Sequence, residues 1–147
     1  MSEEGLKELL KEGIALIRVG RAVEAVFFFE EMLLTYGRSA SVLSLLGISM
    51  AKAKGDFYAA EKLCLEAINK SFYRADLYRN LAEVYLLWNK KAQAISALRS
   101  GLKVDRRNKS LINELVKLGP RTKPPIPFLS RSNPLNKYIG IAKSKFA

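Results

Sequence analysis

The sequence contains no histidine and a single cysteine, Cys64, and these shortages exclude many functions. Without histidine, the chain can build neither a Ser–His–Asp or Cys–His catalytic arrangement nor a histidine-ligated zinc site. One cysteine forms neither an intrachain disulfide nor a thiolate metal site, and this usage favours a reducing compartment. Carboxylate or lysine chemistry stays open, but the 14 Asp and Glu residues show no acid–base pair by their spacing. We therefore expect no enzymatic activity, no cofactor and no metal.

Long apolar runs are also missing, because charged residues interrupt every apolar stretch before the roughly 18 residues that a membrane span needs. Residues 1–5 lack the basic start and the apolar run of a secretory signal. We therefore expect a cytoplasmic protein. Its 147 residues are enough to build one domain with a hydrophobic core.

The net charge of +11 is unevenly distributed along the chain. Residues 1–70 contain 9 Lys/Arg and 10 Asp/Glu, whereas residues 71–147 contain 16 and 4. From residue 120 onward there are six basic residues and no acidic one. The basic character therefore belongs to the C-terminal half, where it concerns partners more than fold.

An internal repeat decides the fold class. A small residue, then Gly or Asn, then Ala recur at intervals of 34 or 35 residues. The three sets are Gly13, Gly20 and Ala25; Gly47, Gly55 and Ala60; and Ala82, Asn89 and Ala94. Each block has two apolar-periodic segments around a break residue that tolerates a left-handed backbone, which predicts a helical hairpin. The small residues would let two antiparallel helices approach closely.

These blocks resemble the tetratricopeptide repeat, whose 34-residue signature runs Trp-x-x-Leu-Gly-x-x-Tyr, then Ala, Phe, Ala and Pro. The matching residues of the third block are Tyr78, Leu81, Ala82, Tyr85, Ala94, Leu98 and Gly101. The resemblance implies an all-α, right-handed α-α superhelix of helical hairpins with about seven helices. The closing Pro is absent, and Gly55 lies eight positions after Gly47 where the other blocks have a spacing of seven, so we expect a longer turn or a bulge near 51–54.

The expected organisation is a repeat domain at 1–119 and a basic, Pro-containing tail at 120–147. The repeats would occupy about 6–39, 40–74 and 75–108, and a cap helix 109–118 would cover the last hairpin. The tail is expected to end in a short amphipathic helix. Its apolar residues would either pack back on the repeat domain or serve as a ligand for another protein.

The resemblance also implies a protein-interaction scaffold or adaptor whose first helices line a groove for a peptide or a partner helix. By position, the groove residues would be Lys7, Leu10, Ile14, Ile17, Arg18, Ser44, Ile48, Ala51, Lys52, Asp76, Arg79, Glu83, Leu86 and Leu87. Cys64 and Trp88 are expected to pack in the structure.

The partner is expected to be another protein or peptide with an acidic or apolar segment, and self-association stays open. Some family members grip a C-terminal carboxylate of chaperone tails with a Lys/Asn/Arg clamp. The matching positions here are Leu10, Ile14, Leu45, Asp76 and Asn80, so the clamp is absent apart from one amide.

Two alternative hypotheses rest on the basic C-terminal half. Arg99, Lys103, Arg106, Arg107 and Lys109 cluster around the end of the third block and could hold phosphates. The last 13 residues are basic and amphipathic, as in a membrane-surface anchor. We disfavour nucleic acid because no nucleic-acid-binding motif is present, and a membrane surface because the segment is short and lacks a second signal.

Overall fold

The computed structural model describes residues 2–119, and this part of the chain consists of helices joined by short turns. Its helices are α1 (Glu3–Arg18), α2 (Ala22–Tyr36), α3 (Ala40–Lys54), α4 (Phe57–Lys70), α5 (Ala75–Leu87), α6 (Lys91–Val104) and α7 (Lys109–Leu118). No residue between 2 and 119 lies in a strand, and the predicted all-α fold is confirmed. None of the helices in this range is long and apolar enough to cross a membrane. The predicted tail helix and the docking of the tail lie outside the described residues.

Short polar side chains start several of these helices. Ser39 Oγ accepts a hydrogen bond from the amide of Val42 at 3.3 Å, where α3 begins. At the start of α7, Asn108 Oδ1 accepts from the amide of Leu111 at 3.0 Å. Each cap satisfies an amide that has no partner inside its own helix, which fixes the residue at which the helix begins.

The predicted break residues adopt the left-handed backbone that their types allow. Gly20, Gly55 and Asn89 have φ angles of 85°, 65° and 61°. After α1 and α5, the break residue follows one non-helical residue, and the next amide bonds back to a carbonyl five positions earlier. The expected bulge near 51–54 is absent. Instead, α3 continues to Lys54 and Gly55 itself ends the helix, so α3 gains two helical positions and lacks the non-helical residue that precedes Gly20 and Asn89.

The helices pack as three hairpins, α1–α2, α3–α4 and α5–α6. The first helices of neighbouring hairpins also contact each other, since α3 packs against both α1 and α5. Gly47 permits α3 and α4 to approach closely, because a Cβ atom there would lie 2.9 Å from the carbonyl oxygen of Ala60 and 2.9 Å from Cys64 Sγ. As expected, Cys64 is fully buried.

Trp88, which follows α5, joins the ends of two hairpins. Its ring stacks on Phe57 with centroids 5.5 Å apart, and the edge of Tyr58 approaches at 4.8 Å. Lys90 Nζ lies 3.4 Å from the centroid of the indole. The expectation that Trp88 packs in the structure is confirmed. The chain divides into two compact units after Glu114, and the following sections concern the first.

Candidate binding cavity

A cavity of about 390 Å³ opens where the first helices of the three hairpins lie side by side. Its wall comes from α1, α3, α5 and the residue before α5. The lining residues are Leu10, Ile14, Ile17, Arg18, Ser41, Leu45, Ile48, Lys52, Arg74, Asp76, Arg79, Asn80 and Glu83. Because three helices contribute, the cavity exists only when all three hairpins are stacked.

One wall of the cavity is apolar. Leu10, Ile14 and Ile17 are spaced by four and three residues, which places them on one face of α1. Leu45 and Ile48 face the cavity from α3. Ile48 is only 3% exposed, whereas the other four side chains are half-buried. The wall is therefore anchored in the core at Ile48 and open to solvent along α1.

The opposite wall, formed mainly by α5, is charged. Arg74 holds Asp76 through two hydrogen bonds, from Nε at 3.2 Å and from a terminal nitrogen at 2.7 Å. Lys52 Nζ lies 2.9 Å from Glu83 Oε2, so this ion pair links α3 to α5 across the cavity. Both carboxylates of the cavity are thus already matched by a cation.

Two cations of the cavity have no carboxylate partner within the described range. Arg79 donates to Ser110 Oγ at 2.9 Å, a neutral acceptor, and Arg18 makes no ion pair there. The lining contains four cations and two carboxylates, which gives a net charge of 4 − 2 = +2. Since the two acids are paired, the excess positive charge resides on Arg18 and Arg79.

A buried polar link lies beneath the cavity. Asn80 Nδ2 donates to Ser44 Oγ at 2.6 Å, and the two residues are 7% and 0% exposed. The backbone carbonyl of Ser44 accepts a hydrogen bond from Cys64 Sγ at 3.8 Å. Burial raises the pKa of the Cys64 thiol to about 12. This link ties α3 to α4 and α5 and positions the Asn80 side chain in the cavity.

The cavity brings together nine of the residues predicted for the groove. They are Leu10, Ile14, Ile17, Arg18, Ile48, Lys52, Asp76, Arg79 and Glu83. Their role in binding a partner stays a prediction. Leu86 instead lines a neighbouring cavity of about 410 Å³, together with Arg79, Ala82, Glu83, Leu98 and Glu114.

The other predicted residues lie elsewhere. Ser44 is fully buried and Ala51 is 4% exposed, and neither lines the cavity. Lys7 and Leu87 are exposed but line neither of the two cavities. The predicted stripe on α3 was displaced because that helix is buried on most sides and has no polar face to orient it.

Four lining residues were not in the predicted groove: Ser41, Leu45, Arg74 and Asn80. Two of them carried a signal, because Leu45 and Asn80 occupy positions that match the family's carboxylate clamp. Arg74 precedes α5 and lies outside the helical stripe on which the prediction was built.

Comparison with known proteins supplies no sequence family, since a scan against family models found no match and a search of curated sequences found none. Solved structures do match. The first TPR (tetratricopeptide-repeat) domain of human RPAP3 matches with a TM-score of 0.62 at 18% identity, covering 75% of this chain and 86% of that one. The fold is that of a tetratricopeptide-repeat domain.

Two further structures share this TPR fold and contain a bound segment. The first TPR of Spaghetti (RPAP3), bound to the HSP90 peptide SRMEEVD, matches at a TM-score of 0.61 and 17% identity, over 80% of this chain and 93% of that one. PcrH in complex with the chaperone-binding region of PopB matches at a TM-score of 0.61 and 17% identity, covering 81% of this chain and 95% of that one. At these identities the likeness establishes the fold, and the predicted superhelix of TPR hairpins is confirmed.

Proposed function

We propose that this protein is an interaction scaffold or adaptor whose TPR domain binds a peptide or a partner helix in the cavity described above. The observation that carries this proposal is the apolar wall of Leu10, Ile14, Ile17 and Leu45, which is open to solvent in a concave site. Apolar side chains gathered in a cleft lose contact with water when a ligand covers them, which favours binding.

The solved structures that share the fold support this proposal. The Spaghetti domain holds a peptide of HSP90, and PcrH holds a region of PopB. Both ligands are segments of other proteins, as we propose for this chain. The identity of the ligand does not transfer, because the side chains that would contact it differ from one TPR domain to the next.

The chemistry of the cavity favours a ligand with both apolar and acidic side chains. Apolar groups would lie against α1 and α3, and carboxylates would reach Arg18 or Arg79, the two lining cations that have no carboxylate partner between residues 2 and 119. A chaperone tail that ends in a clamped carboxylate fits poorly. The positions of such a clamp hold Leu10, Ile14 and Asp76 among them, which offer no cation.

Selection from a displayed peptide library on the full-length protein tests this function. We expect the selected peptides to combine apolar residues with Asp or Glu. Ile14→Ser and Ile17→Ser should each weaken their binding by about tenfold, which corresponds to roughly 1.4 kcal/mol. Arg79→Gln should weaken the binding of the acidic peptides more than it weakens the binding of matched peptides in which Gln and Asn replace Glu and Asp.

Leu65→Ser is the matched control, because Leu65 is 46% exposed on α4 and lines no part of this cavity. This variant should bind the selected peptides as the unmodified protein does. Circular dichroism of every variant would show that the helices are intact. If the peptides bind equally well to Ile14→Ser, Ile17→Ser and Leu65→Ser, the cavity is not the binding site and the proposal fails.

A second candidate function uses the basic cluster at the end of the third hairpin. Arg99, Lys103, Arg106, Arg107 and Lys109 are exposed, and none forms an ion pair within the described residues. Nucleic-acid binding through this cluster would weaken steeply with salt, with a slope set by the number of phosphates neutralised. A salt titration with duplex and single-stranded nucleic acid would reveal it.

We further propose that the protein performs no chemistry of its own and works in the cytoplasm. Two features support the absence of chemistry. Histidine is absent from the sequence, and Cys64 is buried with its pKa raised to about 12, so no thiolate nucleophile is available near neutral pH. Fractionation of the cells that produce the protein would test the compartment.

A further inference from the structure

The outer surface of α2, on the side away from the core, is unusually apolar. The inner face of the helix buries Ala25, Val26, Phe29 and Met32. On the opposite side, Val23, Phe27 and Leu34 are 53%, 64% and 88% exposed, and Val19 in the preceding turn is 67% exposed. A helix that is apolar all round is normally buried all round. The exposed side of α2 therefore lacks a covering element within the described residues.

The exposed apolar residues form one continuous stripe. With 3.6 residues per turn, positions 23, 27 and 34 lie within about 40° of one another around the helix axis. Glu30 falls in the same stripe, between Phe27 and Leu34. Single exposed apolar residues are common on protein surfaces, whereas a contiguous row is typical of an interface.

The charges on α2 itself are of one sign. The sequence of α2 contains three Glu and no Lys or Arg. Arg21 is paired with Glu24. Arg38, beyond the other end of the helix, donates to both carboxylate oxygens of Glu66 at 2.8 and 2.7 Å. Both flanking cations are thus committed to carboxylates.

Glu30 and Glu31, by contrast, have no ion-pair partner among the described residues. Both are exposed beside the apolar stripe. They leave two unneutralised negative charges there, on a helix that supplies no positive one. A ligand for this surface must therefore satisfy apolar contact and two carboxylates together.

We propose that the outer face of α2, formed by Val19, Val23, Phe27 and Leu34 with Glu30 and Glu31, binds a helix of a partner protein that carries an apolar stripe flanked by Lys or Arg. The apolar stripe of the partner covers the exposed side chains, and its cations pair with the two carboxylates. Opposite charges at the edge of an interface speed association and exclude wrong partners.

Charge distinguishes this occupant from two others. A second copy packed across a two-fold axis would present the same α2 surface, which adds more carboxylates and no Lys or Arg, so it would leave Glu30 and Glu31 without cations. An anionic membrane surface would be repelled by the same carboxylates. A cationic amphipathic helix is the occupant that both the apolar and the charged features favour.

Two synthetic amphipathic peptides of about 18 residues, long enough to form a helix on binding, test the proposal. Both carry the same Leu stripe, but the polar face is Lys in one and Glu in the other. Fluorescence anisotropy with the full-length protein carrying Ile14→Ser, which weakens the cavity toward apolar acidic ligands, should show that the Lys peptide binds at least about tenfold more tightly than the Glu peptide. The double variant Glu30→Lys/Glu31→Lys should reverse that preference.

Variants at the stripe locate the binding. Phe27→Ser/Leu34→Ser should weaken the Lys peptide by about tenfold or more. Phe72→Ser is the matched control, since Phe72 is 66% exposed but lies outside α2, and it should bind normally. Ile14→Ser, in the cavity, should also bind normally, so this result is independent of the function proposed for the cavity.

Three outcomes would overturn the proposal. The Lys and Glu peptides could bind the Ile14→Ser variant equally well. The Lys peptide could bind the Phe27→Ser/Leu34→Ser variant as tightly as the unmodified protein, which would place it elsewhere. Sedimentation equilibrium could show a dimer that Leu34→Ser dissociates, which would make a second copy the occupant.

Discussion

Replacing Gly47 by alanine tests the close packing of α3 against α4. The added methyl group would lie 2.9 Å from the carbonyl oxygen of Ala60, 2.9 Å from Cys64 Sγ and 3.5 Å from the Cβ atom of Leu63. The first contact is with backbone, and the second is with a fully buried side chain. Neither atom can swing into solvent, so the two helices must separate.

Two opposing effects set the magnitude. Alanine in place of glycine inside a helix contributes about 1 kcal/mol of stability through helix propensity. Overpacking a filled interior costs about 1–3 kcal/mol. Because two contacts fall below 3.0 Å and one is with backbone, we place the cost at the upper end of that range. The expected net destabilisation is about 1–2 kcal/mol.

Urea denaturation of Gly47→Ala, followed by circular dichroism, measures this difference. A second variant, Gly47→Ala/Cys64→Ala, removes the sulfur contact and leaves the contact with Ala60. The loss of stability on going from Cys64→Ala to the double variant should be smaller than the loss on going from the unmodified protein to Gly47→Ala. If Gly47→Ala is as stable as the unmodified protein, or more stable, the predicted approach of α3 and α4 is refuted.

Three further predictions concern the floor of the cavity and the core around it. Asn80→Leu should lower the free energy of unfolding by about 1–3 kcal/mol because it removes the hydrogen-bond donor to the buried Ser44 hydroxyl. Urea denaturation of Asn80→Leu/Ser44→Ala should show that part of this loss is recovered. The free energy of unfolding should fall as the pH rises from 9.0 to about 12, because the Cys64 thiol ionises in the unfolded chain at a lower pH than in the folded one. In Cys64→Ala, the free energy of unfolding should change less over this pH range. Ile48→Glu should destabilise the domain by on the order of 3–5 kcal/mol because Ile48 is buried, so loss of helicity, rather than selective loss of binding, is the outcome to look for.

The hairpins could be predicted from the sequence because their determinants are local. A left-handed backbone at Gly20 or Asn89 requires particular residue types. A close helix–helix approach favours a small residue, which is Gly47 in the second repeat and Ala82 in the third. Such requirements recur at the same place in each repeat, and their register identified the fold. The way the extra residue of the second repeat is absorbed was not predictable, because a longer helix and a bulge have similar local sequences.

The candidate cavity was predictable where the helices are amphipathic. On α1, the apolar residues at Leu10, Ile14 and Ile17 stand out against charged neighbours. On α5, Asp76 and Glu83 mark the polar side. On α3, by contrast, nine of the 15 residues are buried. Without a polar face, the sequence pattern does not show which side of α3 faces the cavity. Ser44 was therefore predicted to line the wall, which is formed by Ser41 and Leu45 instead.

Helix α2 also lacks a polar face that would show which side is buried, but one of its apolar sides is exposed. In the sequence Val26-Phe27-Phe28-Phe29, nothing indicates that Phe29 is buried and Phe27 is 64% exposed. The difference arises from the position of each helix in the stack. Helix α3 packs against α1, α2, α4 and α5, whereas α2 packs against α1 and α3. An apolar pattern therefore indicates how much surface a helix can bury, and its neighbours decide how much is buried. The apolar surface of α2 that its neighbours leave uncovered is the stripe at Val23, Phe27 and Leu34. We assign a partner to that surface for this reason.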